Sequence, residues 1–184
     1  MKIISGYLKG RVIDGYKIEG TRPTMDRVKE SVFSMIQNNI RDSVVLDLFA
    51  GTGNYGLESL SNYSKFVYFN DKNKECIKCI LKHLEKFNIK DKSKVIQSDY
   101  QECLNYIKNN KIKLDVIFLD PPYKLLVIKD VLNFINKFDL LNQDGIVVCE
   151  IEGDKLEDKY LNLEKIKYKK YGEKEVYIFK KVIE

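Results

Sequence analysis

No apolar run in the 184 residues approaches the roughly 18 that a helix needs to cross a bilayer, so no membrane-spanning helix is expected. Residues 1–11 (MKIISGYLKGR) also hold no stretch long enough for the apolar core of a signal peptide, and a cytoplasmic chain with no membrane partner is expected. Cysteine is scarce: Cys76, Cys79, Cys103 and Cys149 are too few and too scattered for a disulfide scaffold. The CxxC formed by Cys76 and Cys79 lies in a helical pattern, with no second pair to complete four zinc ligands, so the cysteines read as small buried hydrophobes and no metal site is expected. Three prolines, Pro23, Pro121 and Pro122, and no Pro/Gly/Ser-rich tract leave no linker. A single domain over residues 1–184 follows, with 1–24 as an N-terminal hairpin extension and 25–184 as the core. The one histidine, His83, falls on the polar side of a helix whose apolar face is Ile77, Ile80, Leu81, Leu84 and Phe87. It is expected at the surface, which leaves no histidine for general-base chemistry.

The 32 Lys+Arg against 27 Asp+Glu give a net charge of +5, which suits an anionic partner without requiring one. Short runs broken by Gly6, Gly10, Gly15 and Gly20 predict small strands or hairpins near the start. Thr24 is placed to cap a helix in which Val28, Val32, Met35 and Ile36 recur at helical spacing. Apolar strands then alternate with helices: 44–49, a helix after Gly53, 66–69, a helix over about 74–87, 95–96, 116–119 and 146–149, the last two separated by a helix marked by Val131, Phe134, Ile135 and Phe138. Near-continuous apolar strands of this kind form parallel sheets covered on both faces. Residues 163–168 and 176–179, joined through Tyr171 and Gly172, read as a terminal antiparallel hairpin.

Asp47-Leu-Phe-Ala-Gly51-Thr-Gly53-Asn-Tyr-Gly56 closes the first parallel strand and opens a helix, where doubly wound folds bind nucleotide-like ligands. Gly51, Gly53 and Gly56 satisfy GxGxxG, and Asp71 follows about 20 residues on, so a dinucleotide remains formally open. Asp47, however, would repel a pyrophosphate and suits a cationic ligand. S-adenosylmethionine carries an ammonium and a sulfonium, while Asp71 could accept from ribose hydroxyls and Asp99 from the adenine amino group.

The sharpest element is Asp120-Pro121-Pro122-Tyr123, directly after the fourth strand. Two prolines remove two backbone donors, so the carbonyls and the Asp120 carboxylate present acceptors only. Such a site suits an NH2 group. Accepting from both amino hydrogens localises the nitrogen lone pair of an exocyclic base amine toward an incoming methyl group. Tyr123 would stack on the base, contributing about 1–3 kcal/mol.

The ordered pair of motifs at 47–53 and 120–123 resembles the class I S-adenosylmethionine-dependent methyltransferases that act on exocyclic amino groups. Residues 1–11, Thr21-Arg22-Pro23-Thr24 with Arg27, Glu30 and Phe33, and the closing Tyr171-Gly172 with Val176-Tyr177 are similar to the bacterial 16S ribosomal RNA guanine-N2 methyltransferase family, called RsmD, over nearly the whole chain. The resemblance implies a doubly wound, Rossmann-like fold with a mostly parallel seven-stranded sheet and a small N-terminal hairpin. It implies a catalytic motif of Asp120, Pro121, Pro122 and Tyr123, and a cofactor pocket lined by Asp47, Phe49, Gly51, Gly53, Asp71 and Asp99. The implied partner is 16S ribosomal RNA within the small subunit. A monomer is expected. Relatives commonly carry glutamate where this chain has Asp71.

Lys9, Arg11, Arg22, Thr24 and Arg27, together with Lys17, are candidates for a phosphate-facing RNA rim, with Arg22 and Thr24 alternatively closing the cofactor pocket. The run Lys165, Lys167, Lys169, Lys170 reads equally as a solvated strand edge. Three other functions stay open at this point: adenine-N6 methylation of DNA or RNA, a nicotinamide-dependent oxidoreductase, and a noncatalytic RNA-binding assembly factor.

Overall fold

The computed structural model describes residues 1–15, 26–122, 125–153 and 155–182. Strands β1 (Val44–Asp47), β2 (Phe66–Asp71), β3 (Ser93–Gln97), β4 (Leu114–Leu119) and β5 (Leu141–Glu152) alternate with helices α1 (Asp26–Met35), α2 (Gln37–Ile40), α3 (Asn54–Ser61), α4 (Lys74–Lys86), α5 (Tyr100–Asn109) and α6 (Leu125–Lys137). The chain closes with β6 (Lys159–Tyr160), β7 (Leu163–Tyr171) and β8 (Lys174–Lys181).

All eight strands form one sheet in the order β3-β2-β1-β4-β5-β8-β7-β6. The first five pair in parallel, and β8, β7 and β6 are added antiparallel. The expected sheet had seven strands. The eighth, β6, is a two-residue pairing of Lys159 and Tyr160 with Glu164 and Leu163, too short to leave a periodic signal.

Alternation along the strands divides the core between two faces. Val45, Phe69, Phe118, Val148 and Ile178 pack with α1, α3 and α4, while Leu46, Ile117, Leu119, Val147 and Phe179 pack with α5 and α6. Because the chain runs β1, β2, β3 toward one edge and then returns to place β4 beside β1, the strand order reverses at the tips of β1 and β4. Open α/β sheets leave a ligand-sized crevice at that point.

Within the described residues 1–15 of the expected N-terminal hairpin, one antiparallel bridge joins Lys2 and Val12. This segment is fastened to α3: the Glu58 carboxylate accepts from the Ile4 and Ser5 amides, and the Ser61 hydroxyl accepts from the Leu8 amide. His83 is not at the surface. It is fully buried, and its Nε2 accepts the Asp14 amide at 2.9 Å. The N-terminal segment covers this face of α4, a long-range contact that a helical wheel cannot register. Cys76, Cys103 and Cys149 are buried, and half-buried Cys79 directs its thiol to the Asp14 carbonyl.

Candidate active site

The turn after β1 is built on glycine. Gly51 and Gly53 have φ of 54° and 88°, in the left-handed region that side chains disfavour, and Gly53 precedes α3 directly. Gly53 does not line the crevice as expected: a Cβ there would meet Ile80 at 3.1 Å and Phe69 at 3.4 Å, so its role is the turn and its packing on α4 and β2.

The crevice opens over this turn as a cavity of about 440 Å³, and Asp47, Phe49, Gly51, Asp71, Asp99, Asp120, Pro121 and Pro122 all line it. Four acids expected at the site therefore converge from four strand tips. Each is oriented differently. Asp47 is buried at the end of β1, where its Oδ2 accepts the Gly56 amide at 2.9 Å. Burial pushes its carboxyl up to about 7, opposed by that hydrogen bond and reinforced by the charges of Asp71 and Glu150. Asp71 accepts the Gly51 amide through Oδ2 and the Asn73 amide through Oδ1, both at 2.8 Å. Asp99 caps α5, accepting from the Glu102 amide in a capping box. Phe49 and Tyr100 place their rings 5.8 Å apart on the same cavity wall.

These hydrogen bonds bear on the dinucleotide alternative. A pyrophosphate is held by free amides at the turn and the helix start, but here the amides of Gly51 and Gly56 already donate to Asp71 and Asp47. The groups that line the cavity are rich in acceptors, which fits a ligand bearing an ammonium, a sulfonium and ribose hydroxyls.

Asp120 follows β4. Burial, reinforced by the charge of Glu150 and opposed by the Lys174 ammonium, raises its carboxyl to about 8. Beside it lie three residues that sequence reasoning missed: Tyr55, Glu150 and Lys174. The Tyr55 hydroxyl donates to Glu150 Oε1, and the Lys174 ammonium donates to Oε2 at 2.9 Å. The Tyr55 ring stacks on Phe118 at 4.6 Å, which holds the hydroxyl in place. A signal for Glu150 existed: like Asp47 and Asp120, it is an acid ending an apolar strand run. Nothing in the sequence marked Tyr55 or Lys174, which reach the site from α3 and β8.

The expected RNA rim is less gathered. Lys9 and Arg11 are exposed on the N-terminal segment and do not line the cavity. Arg27 lies in a second, shallower groove between α1 and β7, with Glu30, Ser31, Lys169, Lys170 and Tyr171. Tyr123, Arg22 and Thr24, along with Lys17, lie outside the described residues.

The family described as Conserved hypothetical protein 95 matches residues 1–180. The Bacillus subtilis protein YlbH, named as a candidate rRNA methyltransferase, is 34% identical over 182 residues, 98% of this chain and 99% of that protein. Ribosomal RNA small subunit methyltransferase D of Haemophilus influenzae is 33% identical over 157 residues, 84% of this chain and 80% of that protein. Among solved structures, yhhF of Escherichia coli, titled a candidate methyltransferase, superposes with a TM-score of 0.84 at 22% identity, covering 98% of this chain and 97% of that one.

Proposed function

The chain belongs to the RsmD-like family of S-adenosylmethionine-dependent methyltransferases, and from that premise we propose that it methylates the exocyclic N2 of a guanine in 16S ribosomal RNA of the small subunit. The observation that carries the reading is the placement of Asp120-Pro121-Pro122 on the same cavity as Asp47, Gly51 and Asp71. The relatives named for small-subunit rRNA methylation support the RNA substrate.

S-adenosylmethionine supplies an electrophilic methyl group on a sulfonium. Asp47 and Asp71 would hold the amino-acid and ribose ends of that ligand, and Asp99 with the Phe49 and Tyr100 rings its adenine. Asp120 and the backbone carbonyl of Pro121 accept from the two hydrogens of the base amine, which turns its lone pair toward the methyl group. The prolines contribute no competing donors. The proton leaves only after the new N–C bond forms, when the nitrogen is strongly acidic, so positioning and polarisation supply most of the acceleration. Lys9, Arg11, Arg22, Thr24 and Arg27 would contact the RNA, and Tyr123 would stack on the base.

The test is methyl transfer from labelled S-adenosylmethionine to unmodified small subunits, deproteinised ribosomal RNA and DNA in parallel, followed by nucleoside identification. N2-methylguanosine from a ribosomal substrate is expected. N6-methyladenine, or cofactor binding without any transfer, would overturn the reading.

A further inference from the structure

Glu150 has no part in the transfer chemistry above, yet it is one of the most constrained carboxylates in the molecule. Its side chain is 2% exposed and lines the cavity beside the catalytic motif. The parallel register of β4 and β5 pairs Leu119 with Cys149, so the next residues along the two strands, Asp120 and Glu150, stand side by side. Tyr55 holds one carboxylate oxygen and Lys174 the other. The tyrosine is a committed donor, because burial and the charge of Glu150 keep its phenol well above the usual titration range. Lys174, whose side chain is 14% exposed, supplies the balancing charge. A carboxylate has about four lone-pair positions, and these two partners leave room for another donor on the cavity side.

Two acceptors side by side select among bases. Guanine presents two adjacent donors on its pairing edge, the ring N1–H and the 2-amino group. Adenine presents its 6-amino group next to N1, which is an acceptor. Extending the guanine-N2 reading, on which this inference rests, we propose that Glu150 selects the base: its carboxylate receives the guanine N1–H while Asp120 receives the 2-amino group. Adenine in the same pose would bring its N1 lone pair against a buried carboxylate, an unpaired contact that a site built for hydrogen bonding rejects strongly. Tyr55 and Lys174 act as positioning residues through Glu150.

The test uses small subunits reconstituted from 16S RNA that carries either guanosine or 2-aminopurine at the mapped methylation site. 2-Aminopurine keeps the 2-amino group but has no N1–H. The wild-type enzyme is expected to prefer guanosine by about 100-fold or more in kcat/KM. In Glu150→Gln the rate on guanosine falls and the rate on 2-aminopurine does not, so that preference shrinks to within about tenfold, a double-mutant cycle that isolates the contact. Tyr55→Phe, which leaves the carboxylate in place but frees one oxygen, shrinks it less. Calorimetric binding of S-adenosylhomocysteine, unchanged in both variants, establishes that the fold persists. Equal losses on both substrates in Glu150→Gln, or a wild-type enzyme indifferent to N1–H, would overturn the assignment of Glu150 alone. N6-methyladenosine as the wild-type product would overturn it together with the guanine reading.

Discussion

Lys29 and Glu58 meet at 3.1 Å with neither side chain exposed to solvent. The ammonium also donates to the Lys2 carbonyl at 2.7 Å and to Asn54 Oδ1 at 2.9 Å, and Asn54 lines the cavity. One ion pair thus ties α1 and the N-terminal segment to the helix that starts at the active-site turn. Lys29→Met removes one member and leaves a buried carboxylate without its counter-charge. A loss of about 3–5 kcal/mol is expected in urea unfolding. A loss under about 1 kcal/mol would show that the pair is not buried in solution.

Asp120→Asn should reduce methyl transfer by at least about a hundredfold while binding of S-adenosylhomocysteine, followed by calorimetry, stays within about threefold. In the wild type the carboxyl is raised to about 8 by burial and by the charge of Glu150, and its ionised form is the stronger acceptor for an amine, with both oxygens free of a proton. The value of kcat/KM should therefore climb about tenfold per pH unit up to roughly that point and level off above it. A flat profile between pH 6 and 9 would contradict this role.

Asp47 provides a stability signature of the opposite kind to a surface salt bridge. Its folded-state carboxyl titrates near 7, against about 3.9 for an unfolded chain. The folded protein therefore holds a proton that the unfolded chain releases, and the stabilisation is complete below about pH 4 and lost as pH rises through 7. Asp47→Asn mimics the neutral acid. Its melting temperature should lie close to that of the wild type below about pH 4 and exceed it by about ten degrees at pH 8. A difference independent of pH would refute the shift.

Gly56 sits where α3 crosses β2, and a Cβ there would fall 2.1 Å from Phe69 Cε1. Gly56→Ala must displace a ring in the core, and a cost on the order of 3 kcal/mol is expected in chemical denaturation. A neutral substitution would mean that α3 and β2 lie farther apart than this structure places them.

His83 is held neutral. Burial lowers it below the usual imidazole value, the Asp14 carboxylate opposes that, and Lys86 and Lys82 reinforce it. The unfolded chain takes up a proton near 6.5 that the folded ring resists, so stability rises with pH across the interval below 6.5 and is lost on acidification. His83→Phe keeps the packing on Phe87 and removes the acceptor for the Asp14 amide. Hydrogen exchange should show that amide losing its protection, while amides in β4 keep theirs.

Much of this molecule was legible in its sequence for one reason: each apolar run that ends in an acid must be a buried strand whose tip meets solvent or ligand. That pattern sufficed for the five parallel strands and the convergence of Asp47, Asp71, Asp99 and Asp120, because strand tips of a parallel sheet share one edge, while the terminal hairpin was legible from two strand-like runs joined through Tyr171 and Gly172. What stayed hidden depends on contacts between elements far apart in the chain. Lys29 and His83 look like polar faces of amphipathic helices until residues 1–14 cover them. Gly53 satisfies a binding motif by spacing, yet its position relative to Ile80 and Phe69 assigns it to packing. The clamp of Tyr55, Glu150 and Lys174 draws on α3, β5 and β8, and only the antiparallel return of β8 beside β5 brings the lysine to the carboxylate. Local periodicity determines which residues are buried. Which buried charges face one another is decided by tertiary structure, because Coulomb energy depends on distance in space rather than along the chain.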